Sequence, residues 1–112
     1  MDKETRVRIA HNEALFREVN ERIEDRNAVR VEQHEVISFV CECGDPECHA
    51  MVELAPEDYE AVRADSTHFL VLPGHEIEAA ETVVERGSTY FVVEKIYPDA
   101  RAEVERTDPR RK

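Results

Sequence analysis

The most constraining feature of this sequence is a short segment that holds every cysteine of the chain. Cys41, Cys43 and Cys48 lie within the nine residues CECGDPECH, positions 41–49, which are named the cysteine turn below. A tetrahedral zinc ion takes about four thiolate or imidazole ligands, so three cysteines in one turn indicate a metal site. The spacing C-x-C-x4-C is less specific than the common C-x2-C knuckle.

A fourth ligand is needed, and three histidines are candidates. His75 follows the tight turn Pro73–Gly74, and turns of this kind can aim a side chain into a site. His49 is adjacent to Cys48, a position that is sterically awkward for a second ligand to the same ion. His34, which directly precedes the first predicted strand, is the third choice.

The chemistry of the cysteine turn permits three interpretations. Three thiolates and one imidazole would make a closed, structural zinc site, and Gly44 is expected to let the backbone turn beneath the ion. The alternatives are inert buried thiols, or redox-active thiols in which Cys41 or Cys43 pairs with Cys48 upon oxidation. Nearby acids would raise the thiol pKa values, which argues against a reactive thiolate. These acids are Glu42, Asp45 and Glu47.

The first part of the chain predicts a long amphipathic helix over residues 5–26. Its apolar stripe consists of Ile9, Phe16, Val19 and Ile23, widened by Leu15. We expect this apolar stripe to pack on a sheet of the same chain. The alternative is that the helix forms a homodimer or another partner contact.

The remaining pattern predicts five short strands and a second helix. The strands are expected at 36–40, 51–54, 69–72, 82–85 and 90–95. Pro56, with acidic residues directly after it, opens the second helix. We therefore expect an α+β fold, in which the long N-terminal helix packs on a small, mostly antiparallel sheet. Residues 1–97 would form a single domain, and residues 98–112 a charged, mobile tail.

Charge and hydropathy exclude several classes of function. The chain has 26 Asp and Glu against 15 Lys and Arg, a formal net charge of −11. This excess repels phosphate backbones and argues against nucleic acid, whereas it favours another protein, possibly basic, as the partner. No apolar run approaches the ~18 residues of a membrane span, and no secretory signal is expected, so we predict a cytoplasmic protein.

The sequence contains none of the common catalytic motifs. It has no nucleophile elbow, no P-loop and no glycine-rich dinucleotide turn, and its 112 residues include three glycines. We therefore expect a non-catalytic, zinc-binding protein that serves as a protein-interaction or regulatory module. The alternatives are a thiol- and metal-based redox sensor, or a metalloenzyme with an open site near His75 and Glu76.

Several segments together resemble a family of small bacterial proteins that has no settled activity. The matching segments are NEALFREVNE (12–21), CECGDP (41–46), YEAVRAD (59–65), PGHE (73–76), VVEK (92–95) and TDPR (107–110). The resemblance covers nearly the whole chain. It implies that His75, within PGHE, is the fourth ligand rather than His49, which lies outside these segments. It implies no function.

Overall fold

The computed structural model describes residues 1–27 and 35–111, so His34 lies outside the described residues. The elements follow in the order α1 (Lys3–Asn27), β1 (Ile37–Val40), β2 (Met51–Leu54), α2 (Pro56–Arg63), β3 (His68–Val71), β4 (Glu81–Arg86), β5 (Phe91–Lys95) and α3 (Pro98–Arg106). The predicted α+β class is confirmed. Every predicted strand is present, with bounds within one residue of the prediction.

The strands form two small antiparallel sheets rather than the single sheet that the sequence suggested. One sheet pairs β1 with β2, and the other has the order β3-β5-β4 with a register shift between Val83 and Glu85. The cysteine turn, which follows β1, joins the two sheets because the amide of Glu42 donates to the carbonyl of Leu70 in β3 at 2.7 Å. The segment with the metal-type residues therefore lies where the two sheets meet.

Helix α1 buries a largely polar face, and its apolar stripe is only partly buried. The buried residues of the helix are Ala10, Glu13, Ala14, Arg17 and Asn20. Leu15 and Val19 are 49% and 40% exposed, so this side of the stripe does not pack as expected. Ile9, Phe16 and Ile23 are partly buried, and Ile23 packs against the core. The polar side chains of α1 can be buried because each has a hydrogen-bonding partner elsewhere in the fold.

Glu13 belongs to a buried ionic cluster that ties α1 to the second sheet. The ammonium of Lys95 lies 2.7 Å from Glu13 Oε1 and 3.2 Å from Glu81 Oε1, and all three side chains are fully buried. Burial, and next the negative charge of Glu81, raise the pKa of Glu13 well above its usual value. Breaking such a buried pair costs far more than a surface ion pair contributes, so the cluster fixes the helix in place.

Arg17 provides a second polar anchor for α1. Its guanidinium donates to the carbonyls of Ser66 and Val104, at 2.6 and 2.7 Å, and lies 4.8 Å from the centre of the Phe69 ring. One buried side chain therefore contacts the loop before β3, β3 itself and helix α3.

Helix α3 occupies much of the segment that was expected to be a mobile tail. Pro98 stands at the helix start, where its missing amide hydrogen has no cost, and Asp99 lies in the first turn. Asp99 also accepts two hydrogen bonds from Arg6 of α1, at 3.1 and 2.7 Å. Ala100 and Val104 are buried. The apolar face and the ion pair with Arg6 together dock the helix on α1.

Two arginines hold the residues that follow α3. The side chain of Arg63 is fully buried, and it donates to Glu21 at 2.6 Å and to Asp108. Arg110 binds the carboxylates of Glu21, Glu24 and Glu60. These contacts join the end of the chain to α1 and α2.

Removal of the Asp108 carboxylate should destabilise the fold. In Asp108→Ala the buried Arg63 guanidinium loses one of its two carboxylate partners, and the free energy of unfolding should fall by about 3 kcal/mol. Urea unfolding at pH 7 measures this change. Asp25→Ala, at an exposed position of α1, is the matched control and should stay within about 0.5 kcal/mol of the wild type. Equal urea midpoints for both variants would contradict docking of the residues after α3.

Candidate metal centre

The cysteine turn folds back on itself directly after strand β1. The strand ends at Val40, and the amide of Cys41 still pairs with the carbonyl of Ala50 at 3.0 Å. The amide of Cys48 donates to the carbonyl of Asp45 at 3.1 Å, which closes the turn. This turn brings the third cysteine close to the first two.

Four side chains converge at this turn, namely those of Cys41, Cys43, Cys48 and His75. Their potential ligand atoms all lie within 4.8 Å of one another. Nδ1 of His75 lies 3.6 Å from Sγ of Cys41 and 3.6 Å from Sγ of Cys48. Zinc–sulfur bonds of about 2.3 Å and zinc–nitrogen bonds of about 2.1 Å in a tetrahedron place these atoms about 3.6 Å apart. The four residues could therefore hold a metal ion in the arrangement that the structure already has.

His75 reaches the cysteines because the loop after β3 turns sharply. Gly74 has a φ of 91°, in the left-handed region that favours glycine, and the amide of His75 donates to the carbonyl of Leu72 at 3.0 Å. His49 is exposed and is not part of the cluster. Of these two histidines, the structure thus brings His75 to the cysteines.

Backbone amides act on the three cysteine sulfurs. The amide of Leu72 donates to Sγ of Cys41 at 3.3 Å. The amide of Asp45 acts to lower the pKa of Cys43, and that of Ala50 acts to lower the pKa of Cys48. Amide donors of this kind stabilise thiolates and orient them towards a metal ion.

The three thiols of the cysteine cluster differ in the direction of their pKa shifts. Hydrogen bonds, above all the one with Cys41, lower the pKa of Cys43 to about 5. The same hydrogen bond is the main cause that raises the pKa of Cys41, and burial raises that of Cys48. The expectation that acidic neighbours raise the thiol pKa values is therefore wrong for Cys43. A lowered thiol pKa favours the thiolate form, which is the form that binds a metal ion.

Glu42, between the first two cysteines, points in the opposite direction. Its fully buried carboxylate accepts hydrogen bonds from Asn20 at 2.8 Å, from the Tyr59 hydroxyl at 2.7 Å and from the amide of Leu70 at 2.9 Å. Burial raises its pKa in spite of these three donors. Asn20 also exchanges two hydrogen bonds with the backbone of Val40, at 2.8 and 2.9 Å. The turn is thus attached to α1, α2 and β3.

A positioning role for Glu42 and Asn20 was not expected from the sequence. The signal was present, because successive side chains of an extended chain alternate between two faces. If Cys41 and Cys43 share one face, Glu42 must lie on the other, and a carboxylate that faces the core requires buried donors.

Gly44 has a different role from the one expected. Its backbone does not adopt the left-handed conformation, but a Cβ atom at this position would lie 2.5 Å from Cγ2 of Ile9 and 3.1 Å from Cδ1 of Ile77. Asn12 also donates to its carbonyl at 3.3 Å. The glycine is needed because α1 approaches the cysteine turn closely.

A cavity of about 320 Å³ opens beside the candidate site. Cys43, Asp45, Gly74, His75 and Ile77 line it. Cys48 is partly exposed, whereas the other two cysteines are buried. Solvent therefore reaches the cluster at this cavity and at Cys48.

Comparison with protein-family models, with curated proteins and with solved structures gives no match for this chain. Across residues 1–27 and 35–111, no helix has the length and apolar character needed to cross a membrane. The side-chain geometry is therefore the basis of the functional inference.

Replacement of Glu42 should weaken the protein although its carboxylate is not part of the metal-type cluster. In Glu42→Ala three buried donors lose their acceptor, and the free energy of unfolding should fall by about 3 kcal/mol. Urea unfolding measures the change. Glu47→Ala, an exposed acid of the same turn, is the matched control and should stay within about 0.5 kcal/mol. Similar stability of the two variants would show that Glu42 does not hold the turn.

Proposed function

We propose that this protein binds one structural zinc ion through Cys41, Cys43, Cys48 and His75. The observation that carries the proposal is the pair of 3.6 Å distances from His75 Nδ1 to two sulfurs, which equals the spacing in a tetrahedral zinc site. The amide hydrogen bond from Leu72 to Cys41 supports it, since such a donor compensates part of the negative charge of three thiolates.

The donor set favours zinc over other common metals. Three soft thiolates and one imidazole suit zinc, whereas magnesium and calcium prefer oxygen ligands. Zinc would supply a fixed tetrahedral link between the turn after β1 and the loop after β3. Binding free energies of structural zinc sites are about 10–16 kcal/mol in model peptides, which is comparable to the stability of a whole domain.

A structural role is favoured over a catalytic one at this site. Four protein ligands fill a tetrahedron and leave no position for a reactive water. A metalloenzyme with an open site near His75 and Glu76 would require that one cysteine stay unbound, and Cys41 and Cys48 are equally distant from His75. We therefore propose that the protein is not an enzyme.

The proposed biological role is that of a small cytoplasmic interaction or regulatory module. The net charge of −11 supports a basic protein partner and disfavours nucleic acid and anionic membranes. Leu15 and Val19 are exposed on α1, one helical turn apart. This exposed pair supports a contact through the N-terminal helix, either with a partner protein or with a second copy of the chain.

Metal analysis of protein purified without a metal-chelating tag tests the zinc site. We expect one zinc per chain in the wild type, and loss or strong weakening in Cys48→Ser and His75→Ala because each variant lacks one ligand. His49→Ala is the matched control, since it removes an exposed histidine next to the same turn, and it should retain the zinc. Metal-free wild-type protein, or full zinc in His75→Ala, would contradict the proposal.

A redox sensor is the second candidate, and the partial exposure of Cys48 favours it. Cys48 and one of the two buried cysteines would form a disulfide. The two electrons that they lose would reduce the peroxide to water. Zinc would leave, because two of its ligands would be lost. We then expect stoichiometric zinc release to a coloured chelator at mild peroxide concentrations. Retention of the metal under these conditions would reject the sensor.

A further inference from the structure

A second group of metal-type side chains lies at the other end of strand β3. His68 begins this strand, and Glu94 of β5 is its direct cross-strand partner. Nε2 of His68 lies 2.8 Å from Oε2 of Glu94 and 3.6 Å from Oδ2 of Asp65, which precedes the strand. The three potential ligand atoms lie within 4.8 Å of one another, and we name these residues the His68 cluster.

Residues outside the His68 cluster orient both carboxylates. Thr67 donates to Oδ1 of Asp65 through its amide at 2.9 Å and its hydroxyl at 2.7 Å. Arg101 of α3 donates to Oε1 of Glu94 at 3.3 Å. The remaining oxygen of each carboxylate is the one that faces Nε2 of His68. Donors of this kind hold the ligands of metal sites in position.

We propose that Asp65, His68 and Glu94 form a second site for a divalent first-row metal ion, separate from the cysteine cluster. Metal bonds of about 2.1 Å place neighbouring ligand atoms about 3.0–3.4 Å apart. The observed 2.8 Å is just below this range and the observed 3.6 Å just above it, so a metal ion would replace the His68–Glu94 hydrogen bond and shift the side chains slightly. One imidazole and two carboxylates suit zinc or a harder ion such as manganese.

The site is open, in contrast to the cysteine cluster. The side chains of the three residues are partly exposed, and three protein ligands leave at least one coordination position for water. Two carboxylates carry more charge than the single guanidinium of Arg101, so the site keeps a net attraction for a cation. This proposal does not depend on zinc at the cysteine turn.

His11 offers a matched comparison within the same protein. Its Nδ1 lies 3.5 Å from a carboxylate oxygen of Glu103, and its side chain is more exposed than that of His68. The pair resembles His68 and Glu94 but is not among the clusters of three or more potential ligands found in the described part of the chain. If His68 and Glu94 form only an ion pair, replacement of His68 should leave zinc binding unchanged, as replacement of His11 is expected to do.

Calorimetric titration of the purified protein with zinc, after its metal content has been measured, tests the second site. We expect one further equivalent of zinc to bind the wild type. His68→Ala should weaken this equivalent at least tenfold, and Asp65→Asn should weaken it while the amide oxygen keeps the Thr67 hydrogen bonds. His11→Ala should bind as the wild type does. Circular dichroism and the thermal midpoint show that each variant is folded.

Two results would overturn the proposal. One is the absence of a further equivalent in folded wild-type protein, and the other is a further equivalent that His68→Ala leaves unchanged. Neither result bears on the cysteine cluster. Metal at that cluster is tested by Cys48→Ser, and it is not expected to change in His68→Ala.

Discussion

The buried carboxylate of Glu42 is the contact on which the arrangement of the candidate metal centre depends. It receives hydrogen bonds from α1, α2 and β3, and it lies between two of the cysteines. Because neighbouring side chains of an extended chain point to opposite faces, anchoring Glu42 in the core turns Cys41 and Cys43 towards His75. The same residue therefore joins the elements of the fold and orients the site.

Polar contacts of this kind define much of the structure. Glu13, Arg17 and Asn20 form a buried face of α1 in which each side chain meets a partner from another element. Apolar contacts tolerate small shifts of one element against another. A buried ion pair or a hydrogen bond to a side-chain amide requires one partner at one distance, because a mismatch leaves a buried polar group without compensation. The helix is thereby fixed in one position against both sheets, and Gly44 allows its close approach to the cysteine turn.

Strand β3 links the two proposed sites. The His68 cluster lies at its start, and His75 belongs to the loop after its end. With about 3.3 Å per residue, a strand of four residues separates its two ends by about 10 Å. One site combines three thiols with an imidazole and the other combines two carboxylates with an imidazole, so the two differ in the metals that they favour.

The sequence by itself determined the α+β class, the strand bounds and the set of cysteines, because periodicity and turn chemistry act between residues that are close in the chain. It also held a signal for α3, since Pro98 and Asp99 are typical of a helix start. The sequence also placed His75 ahead of His49 as the fourth ligand. Only the tertiary structure decided that α1 buries Glu13, Arg17 and Asn20, and that His68 meets Glu94. These choices depend on partners far apart in sequence, such as Lys95 and Glu13, whose approach is set by packing of the whole domain.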